Sequence, residues 1–309
     1  MGVRDGQLRE RIRTTREARG RVSGDGVELA YGMWPGAGTP LLALHGITAS
    51  YVNFIGVADR LAGRRPLLAL DLRGRGDSDK PDGPYGMVQH AHDTAAAMRA
   101  FGLGPTVVVG HSMGAYVAVA LAAEYPDLVA GLVLVDGGLP LKVPPGVEIE
   151  ALLDVVLAAQ LRRLSQDFPS VEAYLDFWRG LPALPPQLWN PWVEAYLSYD
   201  LGGTAPALRP KAFEAGVRAD YRDSSNLDVL RQRLAGLRVP VVLLRAEEGF
   251  EPGQPPLIPD TVVAAESGVL SAFTERMLPG TTHYSIALGE YGAGVVADTA
   301  VGLAEAGGR

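Results

Sequence analysis

Ser112 stands in Gly110-His111-Ser112-Met113-Gly114, directly after the β-branched run Thr106–Val109 and before the small and apolar residues Met113–Glu124. A strand, a sharp turn and a helix in that order carry a Gly-x-Ser-x-Gly serine with its hydroxyl outward, near the positive end of the helix, which suits it to nucleophilic attack. The glycines matter because neighbours crowd the serine Cβ in so strained a turn. A nucleophilic serine also needs a base, a group that orients the base, and donors for the developing oxyanion. The chain has five His. His45 lies in a His-Gly turn, His111 is the variable position beside Ser112, and His90 and His92 open a helix; His283 follows Pro279-Gly280-Thr281-Thr282 late in the chain. Where a serine sits on such an elbow the chain order is Ser, acid, His, which selects His283 as the base. His90, His92 and Asp93 make no zinc pattern, since residues two apart on a helix face different ways, and no metal site is expected. Asp71–Ser78 lacks the Gly-Lys-Ser/Thr and the third glycine of phosphate-binding loops.

The elements that must position these residues follow from the apolar runs. Gly20–Val22 and Val27–Trp34 flank Ser23-Gly24-Asp25-Gly26 and predict a hairpin. Leu41–Leu44, Pro66–Leu70, Thr106–Val109 and Leu132–Val135 are short apolar strands, separated by helices near Tyr51–Leu61, Val88–Phe101 and Met113–Glu124. Strands alternating with helices imply βαβ units and a parallel sheet covered on both faces, an α/β fold. From about Leu139 to Asn226 strand signals give way to helical ones, with Trp178, Trp189 and Trp192 and many Pro breaks. Strands resume at Val239–Leu244 and Phe273–Leu278 before a final helix near Tyr291–Ala304. A helical lid inserted between two halves of one sheet explains this order.

The 309 residues are 47% hydrophobic and 20% charged, with no Cys and a net charge of −7. That composition excludes a disordered or collagen-like chain, and no run of about 20 apolar residues offers a membrane span. The missing Cys removes disulfides, thiolate zinc sites, iron–sulfur clusters and a cysteine nucleophile. The acidic balance disfavours nucleic acid. Arg4, Arg9, Arg11, Arg13, Arg16, Arg19 and Arg21 crowd the start, where residues 1–19 are expected to form a solvated helix or arm. No apolar export signal accompanies them, so a cytoplasmic location is expected.

Leu44-His45-Gly46-Ile47-Thr48, Asp71-Leu72-Arg73-Gly74-Arg75-Gly76-Asp77-Ser78, Gly110–Gly114 and Pro279-Gly280-Thr281-Thr282-His283 together resemble the α/β-hydrolase superfamily. The resemblance covers nearly the whole chain after the Arg-rich start. It implies a mostly parallel twisted sheet with helices on both faces, a core of residues 20–138 and 226–309, and a helical cap at 139–225. It also implies an oxyanion hole made by the backbone N–H groups of Ile47 and Met113, with His45 bracing that loop and Asp71 and Arg73 fixing loops rather than touching substrate. Many members carry the acid after the strand that follows the cap, but Arg245-Ala246-Glu247-Glu248-Gly249 puts Gly249 at that position. The family's other acid site, after the strand before the cap, falls on Asp136. Glu247, Glu248 and Glu251 remain as alternatives.

The constellation requires no cofactor. Serine at the elbow argues against the dehalogenases and epoxide hydrolases of this family, which use a carboxylate nucleophile. The expected activity is hydrolysis of a carboxylic ester or lactone through an acyl-enzyme. Carbon–carbon bond hydrolysis and cofactor-free perhydrolysis share the same constellation, and a receptor-like binder with slow or no turnover is the reading from a different class. Trp178, Trp189 and Trp192 are candidates for contact with an apolar small-molecule substrate; the competing reading is that they pack the cap onto the core. Oligomeric state is not legible.

Overall fold

The computed structural model describes residues 17–140 and 158–307. Strands β3 (Leu41–Leu44) and β4 (Leu67–Leu70) have the same sequence, Leu-Leu-Ala-Leu, and are buried at every position. Runs this apolar are stable as strands only where both faces of the sheet are covered. Among the described residues eight strands form one sheet in the order β1-β2-β4-β3-β5-β6-β9-β10, with β1 (Ala18–Ser23), β2 (Glu28–Trp34), β5 (Thr106–His111), β6 (Val129–Val135), β9 (Val241–Ala246) and β10 (Phe273–Leu278). The β1–β2 and β2–β4 pairs are antiparallel and every other pair is parallel.

Strand side chains alternate between two apolar clusters, as a period of two demands. Ala43, Val107, Val109, Val133 and Val135 pack with helices α1 (Ile55–Leu61) and, at the chain's end, Glu290–Ala306. Leu42, Leu44, Val108, Leu132 and Leu134 pack on the opposite face with α2 (Met87–Ala100) and α3 (Met113–Glu124). Helix α3 is apolar nearly all round, with ten buried residues, as befits a helix enclosed by the fold.

Between β6 and β9 the described chain forms α4 (Ala158–Leu164), α5 (Val171–Arg179), α6 (Pro191–Asp200), a hairpin of β7 (Leu201–Thr204) and β8 (Ala207–Pro210), α7 (Glu214–Ser224) and α8 (Leu227–Gly236). Two differences from the sequence expectation stand out. Ala18 and Arg19, assigned to the N-terminal arm, begin β1, because their backbone pairs with Met33 and Gly32; residues 1–16 of that arm lie outside the described residues. The 139–225 stretch, expected to be helical, contains the β7–β8 hairpin, and its residues 141–157 lie outside the described residues. The return to the sheet after 226 begins with helix α8, capped by the Asn226 side chain on the Val229 amide, before β9. After β9 come α9 (Asp260–Glu266), β10, α10 (Ser285–Leu288) and α11 (Glu290–Ala306).

The parallel register aligns the C-terminal ends of the central strands. Leu44 pairs with Gly110, His111 with Val135, Val135 with Leu244, and Ala246 with Leu278. The segments holding His45–Ile47, Ser112, Asp136, Glu247–Phe250 and Gly280–His283 therefore leave the sheet at one edge, where open α/β sheets place their sites.

Candidate active site

Ser112 caps the N-terminus of α3 with φ 54° and ψ −121°, and Asp136 leaves β6 with φ 47°. Such backbone is disfavoured for residues with a side chain and persists where its surroundings over-determine it. The Ser112 amide donates to Val135 O at 2.9 Å and the Asp136 amide to Leu244 O at 2.8 Å, so each turn is tied to the neighbouring strand. Helix α3 approaches so closely that a Cβ on Gly114 would lie 1.9 Å from the Leu44 carbonyl oxygen. That position tolerates only glycine.

Ser112 Oγ lies 3.0 Å from His283 Nε2, and His283 Nδ1 lies 2.7 Å from Asp136 Oδ2. The other Asp136 oxygen accepts from the Ala246 amide at 3.2 Å, and the residue is buried. An ionised Asp136 accepts the Nδ1 proton, which leaves the Nε2 lone pair facing the serine. The structure thus brings together Ser112, His283 and Asp136, residues far apart in the chain. The alternative carboxylates are engaged elsewhere: Glu247 accepts from the Gly280 amide at 2.8 Å, Glu248 from the Gly253 amide at 3.1 Å, and Glu251 from the Gln254 side chain at 3.2 Å. The loop after β9 instead grips His283. Gly249 O accepts from the His283 amide at 2.9 Å, and the Phe250 ring stands edge-on to the imidazole at 4.7 Å.

His111 is a functional neighbour that sequence reasoning passed over. Its ring lies 4.8 Å from that of His283; Nε2 donates to His283 O at 3.0 Å and Nδ1 accepts from the Asn53 amide at 3.2 Å. Complete burial lowers its pKa to about 3 and keeps it neutral, so it holds His283 in place without carrying a charge beside it. The only signal in the sequence was its adjacency to Ser112.

The loop after β3 runs beside the serine: a Cβ on Gly46 would meet Ser112 Cβ at 3.2 Å and Oγ at 3.5 Å. His45 Nε2 accepts from the Leu72 amide at 3.0 Å, so Nδ1 carries the proton and donates to Gly46 O at 2.8 Å. Burial lowers its pKa to about 3. The Gly46 carbonyl belongs to the peptide unit whose N–H is that of Ile47, so His45 orients and polarises that amide. Among the described residues neither the Ile47 nor the Met113 amide has an acceptor. The buried Arg75 reaches both residues, donating from Nε to Ile47 O at 2.9 Å and lying 4.0 Å from Met113 Sδ through Nη2.

Arg75 is held by Asp220 of α7 at 2.5 Å, and the same Asp220 oxygen accepts from His90 at 2.9 Å. Its other oxygen accepts from the Gly86 amide, and Asp223 accepts from the Met87 amide, so two carboxylates of the insert sit on the N-terminus of α2. A second tether joins Tyr199 of α6 to the core: its hydroxyl donates to Asp71 Oδ2 at 2.6 Å. Asp71 also accepts from the Tyr51 and Asp77 amides, and Arg73 is paired with Asp93; both are loop-holding groups.

The three tryptophans separate. Trp192 is fully buried against Gly56 of α1 and Ala293 of α11, where its flat face seals the insert onto the core. Trp189 is covered by the Arg179 guanidinium and donates to Glu194 at 3.3 Å. Full burial of Trp192 favours the packing reading for that ring, while Trp189 is half-buried. Trp178 alone joins the ring cluster at the site, edge-on to Tyr284, whose ring is 5.9 Å from His283. Among the described residues no group of three or more His, Asp or Glu is placed to hold a metal ion; His90 serves Asp220 and His92 meets Tyr125. Nor is any described helix long and apolar enough to cross a membrane.

Comparison with known proteins places this geometry. A family model described as alpha/beta hydrolase fold matches residues 39–248. A 2-(acetamidomethylene)succinate hydrolase of Mesorhizobium japonicum is 31% identical over 259 residues, 81% of this chain and 83% of that one. An N-formylmaleamate deformylase of Pseudomonas putida is 39% identical over 120 residues, 38% of this chain and 45% of its own length. The crystal structure of E-2-(acetamidomethylene)succinate hydrolase superimposes with a TM-score of 0.77 at 26% identity, covering 94% of this chain and all of that one. By the extent of the family match and of the first of these relatives, the chain belongs to the alpha/beta hydrolase fold family.

Proposed function

We propose that the protein is a serine hydrolase that moves an acyl group from a small molecule to Ser112 and then to water. The observation that carries this reading is the unbroken relay from Ser112 Oγ to His283 to buried Asp136, at 3.0 and 2.7 Å. His283 takes the serine proton as Oγ attacks the acyl carbon, and Asp136 stabilises the imidazolium. The Ile47 and Met113 amides hold the oxyanion, with Met113 at the positive end of α3. His283 returns its proton to the leaving group, then activates water to free Ser112. The steps use this chain's residues and water only.

An ester or lactone is the simplest acyl donor for this machinery. A second reading has a specific support: the two relatives are named for an acetamido and an N-formyl compound, in which the acyl group sits on nitrogen. The insert, with residues 139–225 as a cap over the site, is the element that selects between donors. The deciding experiment is turnover of p-nitrophenyl esters, small lactones, and N-formyl and N-acetyl amides by wild type beside Ser112→Ala. Turnover of any class that vanishes in Ser112→Ala supports the proposal, and the preferred class separates the two readings. Saturable binding of these compounds without turnover of any of them contradicts it and favours a receptor-like protein.

A further inference from the structure

We infer that Arg163 is a carboxylate-binding fork, joined to the catalytic histidine through Trp178 and Tyr284, so that the substrate is an acyl compound carrying a carboxylate at its non-reacting end. Arg163 lies on α4 and is buried, 4% exposed. Its Nη1 donates to Asp200 Oδ2 at 2.6 Å and to the Tyr174 hydroxyl, which in turn donates to the same Asp200 oxygen. These bonds lock the guanidinium plane. The opposite edge is free: Nε is buried with no acceptor, and no described residue accepts from Nη2. The Nε–Nη2 edge presents two parallel N–H groups that match the two oxygens of a carboxylate.

A buried donor without a partner is costly, and native proteins rarely leave one. Here a second orphan accompanies it. Gln160, three residues earlier on the same helix and hence on the same face, has a buried Oε1 with no partner, an acceptor that suits a donor group of the bound molecule rather than its carboxylate. Both residues act on the Tyr284 hydroxyl, and Tyr284 is the chain neighbour of His283. The guanidinium lies 5.2 Å over the Trp178 ring, that ring is 6.1 Å from Tyr284, and Tyr284 is 5.9 Å from the His283 ring. These contacts join the fork to His283 through two rings, Trp178 and Tyr284. The wall that composition alone marks as apolar therefore contains one oriented cationic edge. A structural ion pair with Asp200 accounts for Nη1 and leaves the other edge unexplained; a carboxylate accounts for it.

The inference rests on the hydrolase reading only for where the acyl group lies, and its test separates the two. The ratio of kcat/KM for mono-4-nitrophenyl succinate to that for its methyl ester is measured in wild type, Arg163→Met and Arg163→Lys. Lysine keeps a charge for Asp200 while losing the fork, so it answers even where Met does not fold. The ratio is expected to fall about 10- to 100-fold in both variants, the worth of a charged bidentate pair. An unchanged ratio in a folded variant overturns the fork while leaving the hydrolase intact. In parallel, succinate is titrated calorimetrically into Ser112→Ala and Ser112→Ala/Arg163→Lys, a readout independent of turnover. Binding that is lost with Arg163→Lys supports the fork even if no ester is cleaved; absent or equal binding in both overturns it.

Discussion

The sheet and the insert solve the same problem, burying charge near a reactive centre, in opposite ways. In the sheet half, the groups around Ser112 are held by backbone: strand amides pin the Ser112 and Asp136 turns, and the neutral imidazoles of His45 and His111 each use both nitrogens. In the insert, side chains do the holding. Asp220 ties Arg75 and His90, Tyr199 ties Asp71, and Asp200 ties Arg163. Backbone anchoring leaves little room for alternative positions, as the proposed reacting atoms require; side-chain pairs can be broken and remade as a unit, as the proposed selection of substrate by the insert requires. Disrupting each kind of anchor separates the two roles.

The largest effect is expected inside the sheet half. Asp136→Asn removes the charge that stabilises the imidazolium and sets the tautomer, and kcat is expected to drop about 10³- to 10⁴-fold. Glu247→Gln, Glu248→Gln and Glu251→Gln, whose carboxylates bond elsewhere, stay within about threefold of wild type, a small surface-type effect. A steady-state comparison of the four variants checks this, and a Glu variant as damaged as Asp136→Asn would move the acid to the β9 loop.

Next comes the joint between the two regions. Asp220→Asn leaves the Arg75 guanidinium, with neither side chain of the pair exposed, without its counter-charge. A loss of about 3–5 kcal/mol is expected, because an unpaired buried charge is worse than no pair at all. Chemical denaturation reads the loss, and a stability within experimental error of wild type would show that the insert is not anchored there.

A smaller effect, with a pH signature, is expected at the second tether. Burial pushes the Asp71 carboxyl up to about 6 from 3.8, against hydrogen bonds from Tyr199, Tyr51 and Asp77. A carboxyl whose pKa is higher in the folded state favours folding when protonated; that contribution is complete below pH 3.8 and is lost as pH rises through 6. Above 6 the Tyr199 hydroxyl donates to a carboxylate, below it to a neutral acid. Tyr199→Phe is therefore expected to cost about 2 kcal/mol at pH 8 and about 1 kcal/mol at pH 5, the difference between charged and neutral hydrogen bonds. Equal losses at both pH values would contradict the titration of Asp71. The smallest effect is expected from Arg209→Ala on the outer hairpin, whose pair with Asp167 is exposed on both sides; its thermal midpoint should match that of wild type within experimental error.

The same contrast governs what the amino-acid sequence reveals. Leu41–Leu44 and Leu67–Leu70 are legible because a strand buried on both faces is apolar at every position, and the order of strands and helices then dictates a parallel sheet. Ser112, His283 and Asp136 were legible because each follows a strand end. The β7–β8 hairpin was not: Leu201–Thr204 and Ala207–Pro210 are short, carry two glycines and a proline, and bury little. Helix α8 did leave a signal, Asn226 as cap followed by Leu227, Leu230 and Leu234 at helical spacing. Arg75 shows the limit most clearly. Its place in Asp71–Ser78 is visible, but its partner Asp220 is brought to it only by the packing of the insert, and no local pattern encodes that.

In the proposed chemistry Ser112 is made nucleophilic by His283 and Asp136. The most direct test is intact-mass and peptide mapping after reaction with a fluorophosphonate, in wild type, Ser112→Ala and His283→Ala. One adduct on Ser112 in wild type, none in Ser112→Ala and a labelling rate in His283→Ala slower by about 10³-fold or more are predicted, since serine is inert without its base. Labelling elsewhere, or a Ser112 that reacts equally well without His283, would contradict the claim.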